Sequence, residues 1–156
     1  MIRYRAPKPE ELPAASALCR ASKASWGYDA AFMDACREAL TLHPEDLDTD
    51  PTLAAFDGDR MVGLVQVAGD GDSVWLEKLF VAPDRMGRGI GRRLFHWALL
   101  AATRLGAGPL IVDADPGAVP FYTAMGCRLV GEAPSDAIPG RMLPRLARDL
   151  PDLPRA

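Results

Sequence analysis

Apolar and polar positions change their period several times along this chain, and each change marks an element. Residues 2–6 alternate apolar with charged, as a short strand does, and Pro7 and Pro9 stop the run. Over 9–24 the apolar positions fall at helical spacing: Leu12, Ala15 and Cys19, with Leu18 and Ser22 beside them. Ser25-Trp26-Gly27-Tyr28-Asp29 breaks that helix, and Asp29 can cap a second one over 30–40, with Phe32, Cys36 and Leu40 on one stripe. From His43 to Pro51 the chain is polar and reads as a loop. Strands over 52–57 and 61–68 flank Asp57-Gly58-Asp59-Arg60, a hairpin signal, and Asp70-Gly71-Asp72 turns into a third strand over 73–81. Connections this short make the meander antiparallel.

A helix over 89–104 follows, with Leu94, Trp97, Ala98 and Ala101 inward. The continuous apolar run 110–113 is a strand expected to lie parallel to 73–81, because a helix separates the two. A helix over 117–125 ends at Gly126, a suitable C-cap. Strand 127–132 and a last strand near 141–149 close the chain; Pro134, Pro139, Pro144 and Pro151 confine that final ladder to an edge or to short pieces. The order β–α–α–β–β–β–α–β–α–β–β predicts an α+β (α/β mixed) fold. Its central mixed sheet would have about six or seven strands, with an antiparallel N-terminal meander, a parallel pair across the glycine-rich helix, and about four flanking helices.

With 156 residues, 49% of them hydrophobic and 25% charged, the chain suits one globular domain spanning 1–156. A net charge of −3 gives no global basic field for nucleic acid. Three widely spaced cysteines, Cys19, Cys36 and Cys127, contain no CxxC pair, so neither a zinc site nor a disulfide framework is expected. There is no N-terminal signal core and no apolar run of about 18 residues, so a cytoplasmic protein without a membrane span is expected.

The chemistry concentrates at Pro83-Asp84-Arg85-Met86-Gly87-Arg88-Gly89-Ile90-Gly91-Arg92-Arg93, where a strand meets a helix. Glycines at 87, 89 and 91 let backbone N–H groups approach a ligand that a Cβ would block. The first helical turn adds unpaired donors and the positive end of its dipole, with four arginines around them. Such a place takes a phosphate or pyrophosphate. A dinucleotide fingerprint starting at Gly87 fails at Arg92, one starting at Gly89 fails at Leu94, and a P-loop lacks its Gly-Lys-Ser/Thr.

Two blocks together resemble the GNAT superfamily of acyl-CoA N-acetyltransferases. The first, Leu79-Phe80-Val81-Ala82-Pro83 through Gly89-Ile90-Gly91, is similar to that family's coenzyme-A loop. The second runs from Asp113-Ala114-Asp115 through Pro120-Phe121-Tyr122 to Gly126-Cys127 and resembles its N-x-x-A-x-x-F-Y-x-x-x-G-F segment. The chain departs from the pattern at Met86, where the family has Gln or Arg, at Asp115, where it often has Asn, and at Cys127, where it has Phe.

The resemblance implies acetyl-CoA as cosubstrate, no metal, and a small-molecule or peptide amine as acceptor. It further implies transfer by direct attack in a ternary complex, and homodimers are common in the family. Cofactor contacts would come from Leu79, Phe80, Val81, Met86, Gly87, Arg88, Gly89, Ile90, Gly91, Arg92, Asp115 and Tyr122. Tyr122 is the general acid by resemblance; otherwise it is a core tyrosine beside Phe121. Glu77, on a strand expected to be central, is either the general base and an ammonium contact or one half of a structural ion pair with Lys78 or an arginine. Alternation would place it on one face with Trp75 and Leu79. Trp26 and Tyr28 either wall the acceptor site or staple two helices together. Ser135 and Arg141 either face the acceptor or belong to a plain turn. The alternative function is a non-catalytic acyl-CoA-binding or sensory domain of the same fold.

Overall fold

A computed structural model describes residues 1–152; the end of the expected single domain, 153–156, lies outside the described residues. One sheet holds seven strands: β1 (Ile2–Arg5), β2 (Thr52–Asp57), β3 (Arg60–Gly69), β4 (Val74–Val81), β5 (Leu110–Asp113), β6 (Arg128–Pro134) and β7 (Met142–Arg148). Their spatial order is β1-β2-β3-β4-β5-β7-β6. Five α-helices flank it: α1 (Leu12–Ala24), α2 (Ala30–Cys36), α3 (Asp46–Thr49), α4 (Ile90–Thr103) and α5 (Val119–Ala124). Neighbouring strands are antiparallel except β4 and β5, which run parallel across α4 as the order of elements predicts.

The core is built around β3. Every residue from Met61 to Val67 is buried, because α1 and α4 both pack on this strand. A strand covered on both faces is expected to be mostly apolar along its length. Gln66 is the polar residue within it. Its amide donates to Thr52 Oγ1 at 3.2 Å, and its Oε1 accepts from Lys78 Nζ at 3.4 Å.

Several expectations need correction. The second helix stops at Cys36 rather than at 40, although Cys36 and Leu40 are both buried as the stripe requires. Beyond Cys36 the backbone tightens into three-residue turns, such as Leu40 N–H to Arg37 C=O at 3.2 Å. The polar stretch 43–51 contains the four-residue α3. On α4 the buried face is Ile90, Leu94, Phe95, Ala98, Leu99 and Ala102, which leaves Trp97 and Ala101 half-buried at its margin. The last strand is not an edge: β7 inserts between β5 and β6. Pro144 is tolerated because β5 pairs only with Arg145 to Arg148, so the missing N–H costs no β5 ladder bond, and the Pro144 carbonyl accepts from Ala114 N–H at 2.9 Å.

Leu94 has no exposed surface and anchors α4 on the sheet. Leu94→Ala is expected to lower unfolding stability by about 2–5 kcal/mol in a denaturant titration. A loss below about 1 kcal/mol would contradict this packing of α4.

Candidate active site

The β4–β5 ladder contains two residue pairs, Val74 with Leu110 and Trp75 with Ile111. β4 then continues to Val81 and β5 to Asp113 without pairing to each other. Into this gap opens a cleft of about 1100 Å³. Its walls include Leu79, Phe80 and Val81 on one side and Asp113, Asp115 and Tyr122 on the other. Backbone groups that leave a ladder still need hydrogen-bond partners, so the gap offers unpaired backbone edges to an extended ligand.

At one end of the cleft lies the glycine loop. Gly87 and Gly89 have φ of 78° and 84°, the left-handed region that favours glycine. A Cβ at either would meet nothing within 4 Å, so the space beside the loop is open. Gly89 is the N-cap of α4 and supplies no side-chain cap; the first helical bond, from Arg93 N–H to the Gly89 carbonyl, is 3.1 Å. The N–H groups of Ile90, Gly91 and Arg92 precede that bond and are left for an anion. Gly91 lets α4 approach: a Cβ there would lie 3.4 Å from the Phe121 ring. Ile90 is buried, so it can contribute only its backbone.

The arginines divide. Arg85 is bound to Asp57 at 3.0 Å and Asp84 at 2.8 Å, and Arg93 stacks over Tyr4. Arg92 lines the cleft and makes no ion pair among the described residues, whereas Arg88 stands outside the lining. Arg85 is therefore a poor substitute for the polar side chain missing at Met86, which is itself 44% exposed.

Tyr122 is buried against Phe95 and Phe121, with ring centroids 6.1 and 5.2 Å away. Burial pushes its phenol pKa up, so it carries its proton at neutral pH. Among the described residues its hydroxyl makes no side-chain hydrogen bond, and the residue lines the cleft.

Glu77 is the extra residue of a bulge. β3 and β4 pair Gln66 with Lys78 and Val67 with Leu76, and Glu77 has no partner between them. The bulge breaks the strict alternation expected over 75–79. Glu77 makes no ion pair among the described residues, because Lys78 turns to Gln66 instead. It meets solvent through the cleft, yet the surrounding protein desolvates its carboxyl and raises its pKa. Asp50, Asp136 and Asp113 push the same way, against the nearby Lys78.

Trp26 lines the cleft and Tyr28 does not. Tyr28 stacks on Phe32 with centroids 3.9 Å apart, and its hydroxyl donates to Asp115 Oδ2. Asp115 also accepts from Gly117 N–H at 3.0 Å and lies 3.5 Å from Lys23 Nζ. Arg141 Nη2 donates to the Tyr28 hydroxyl at 2.7 Å and is 3.6 Å from Asp115. Lys23 and Phe32 were not visible as site residues in the sequence, since no local motif ties them to Asp115. Ser135 is occupied by its own turn, its Oγ accepting from Ala137 and Ile138 N–H at 3.2 and 3.1 Å. Asp113 is paired bidentately with Arg145, at 2.7 and 3.0 Å. Among the described residues no group of three metal-binding side chains converges, and no helix is long and apolar enough to cross a membrane.

Known proteins fit this geometry. The chain is 32% identical over 94 residues to the peptidyl-lysine N-acetyltransferase YjaB of Salmonella typhimurium, a match covering 60% of this chain and 60% of that relative's length. The solution structure of apo-form YjaB from Escherichia coli has a TM-score of 0.70 at 25% identity, covering 95% of this chain and 97% of that one. A GCN5-related N-acetyltransferase from Rhodopseudomonas palustris shares the fold, with a TM-score of 0.78 at 23% identity over 95% of both chains. The family profile of the acetyltransferase (GNAT) domain matches residues 18–136. The glycine loop, the parted strands and the seven-stranded mixed sheet thus have one explanation: the chain belongs to the GNAT acetyltransferase family, whose acyl donor is acetyl-CoA.

Proposed function

We propose that this protein moves an acetyl group from acetyl-CoA to a primary amine by direct attack in a ternary complex. The parting of β4 from β5 beside an uncapped helix start carries this reading, since it provides an edge for a pantetheine arm and donors for a pyrophosphate in one groove. The N–H groups of 87–92 would hold the pyrophosphate, and Leu79, Phe80 and Val81 would pair with the arm as an added strand. The amine nitrogen forms a C–N bond to the acetyl carbon as the C–S bond breaks. Glu77, directly or through water, takes the amine's proton, and Tyr122 gives its proton to the departing sulfur.

A covalent route through cysteine is disfavoured. All three cysteines are buried, and burial pushes the thiols of Cys19 and Cys127 up to about 12 and about 11. A lysine side chain is the acceptor to try first, given the similarity to a peptidyl-lysine N-acetyltransferase.

Calorimetric titration with acetyl-CoA, with NADH as control, tests the donor. Micromolar affinity for acetyl-CoA alone is expected, and no binding by folded protein would refute the proposal. Gly89→Glu places a side chain at positive φ and a negative charge at the anion site. It should weaken acetyl-CoA binding at least a hundredfold, and retained affinity would refute the loop assignment. Tyr122→Phe should lower kcat about a hundredfold with acetyl-CoA affinity within twofold of wild type; unchanged turnover would remove Tyr122 as the acid.

Glu77 yields a pH prediction. A carboxyl with a raised pKa loses its basic form at a higher pH than an ordinary glutamate as the solution is acidified. The rate should therefore fall on the acid side through a pKa above the usual glutamate value. Glu77→Gln should lose both that limb and most of the activity, and an unaltered profile would assign the base elsewhere.

A further inference from the structure

Three segments distant in sequence meet at one carboxylate. Tyr28 comes from the break between α1 and α2, Asp115 from the turn after β5, and Arg141 from the loop that enters β7. Asp115 and Arg141 line the cleft, while Tyr28 stands behind them. We propose that Tyr28 is a positioning residue. Its hydroxyl receives a hydrogen bond from Arg141 and donates one to Asp115, and so locks both into the wall of the cleft that would receive the amine acceptor. The inference rests on the transferase reading above, and it moves Asp115 from a cofactor contact to part of that wall.

The geometry admits little else. A phenol hydroxyl has one proton to give and lone pairs to receive, and both capacities are used here, on Asp115 and Arg141. The ring cannot drift, because it is stacked on Phe32 at an interplanar angle of 13° and Arg141 lies over both rings, 5.2 and 4.9 Å from their centroids. Asp115 accepts from Tyr28 on Oδ2 and from Gly117 N–H on Oδ1, with Lys23 and Arg141 alongside, so both of its oxygens are engaged within the protein. Burial alone would raise its pKa, but the hydrogen bonds from Tyr28 and Gly117, with the two cations, bring it below the ordinary value; it is ionised at neutral pH. An aspartate so engaged differs from an asparagine that offers an amide N–H to a ligand. Trp26 completes the junction. Its ring lies so close over Gly117 that a Cβ there would sit 2.7 Å from the indole.

Side-chain exposures of 15%, 11% and 19% for Lys23, Asp115 and Arg141 place this ion cluster partly out of water. Breaking one hydrogen bond there leaves the partner groups without full compensation, so the effect should spread to all three segments.

The test uses Tyr28→Phe, which keeps the ring stack and removes the hydroxyl, together with Asp115→Asn and the double variant. Three readouts are taken: hydrogen exchange by segment, the acetyl-CoA Kd, and steady-state kinetics with a short peptide carrying one lysine. For Tyr28→Phe, exchange should accelerate about tenfold in both 113–118 and 135–141. The KM for the peptide should rise about tenfold with kcat within threefold, and the acetyl-CoA Kd should stay within twofold. The double variant should be little worse than the worse single one, since both changes cut the same link. Unchanged exchange in the two segments would overturn the proposal, as would additive effects. A tenfold weaker acetyl-CoA Kd in Asp115→Asn with unaltered exchange would also overturn it, returning Asp115 to the cofactor. Failure of the wild type to bind acetyl-CoA would refute the transferase reading instead, and the exchange data would still decide whether Tyr28 locks the wall.

Discussion

Parallel strands stay together only while each backbone N–H and C=O finds its neighbour, and β4 and β5 stop doing so after two pairs. Everything else at the site depends on that parting. It leaves the second half of β4 with one hydrogen-bonded neighbour, β3, and frees the other side for a ligand that can act as a strand. It also sets the glycine loop and the N-terminus of α4 at one end of the gap, and brings Tyr122 to its side. The gap persists because both strands are held elsewhere: β4 by its long ladder with β3, and β5 by its ladder with the inserted β7.

Electrostatics divides the cleft into regions of different character. Around the loop, charge is supplied by peptide dipoles and by Arg92, while Arg85 is consumed by Asp57 and Asp84. Around Glu77, the carboxylate has no ion pair among the described residues and has other acidic groups nearby, an environment that suits proton exchange. Around Asp115 the opposite holds: both carboxylate oxygens accept hydrogen bonds from the protein, and two cations lie beside them. Two carboxylates on one cleft thus differ in environment because their neighbours differ.

Much of the fold was legible in the chain. The strand run of β3, the Asp-Gly turn before it and the helical stripe of α4 are local patterns, and each produced its element within a few residues. The glycine loop was legible for the same reason, since the donors and the positive φ values lie within one short stretch. The site was legible less evenly. Tyr122 and the loop came with motifs, whereas Lys23, Phe32 and the true partners of Arg85 and Asp115 came with none. The bulge at Glu77 was hidden because it is a property of two strands and their register, not of either strand alone.

The sequence by itself determined the order of the elements, the apolar core and the glycine loop, since hydrophobic period, turn chemistry and backbone freedom act between residues close along the chain. Tertiary structure alone decided where β4 leaves β5, that β7 slips between β5 and β6, and which groups hold Asp115. The contacts around Asp115 and Tyr28 join residues 87, 92 and 113 positions apart, over distances at which no local pattern constrains the partner and packing makes the choice.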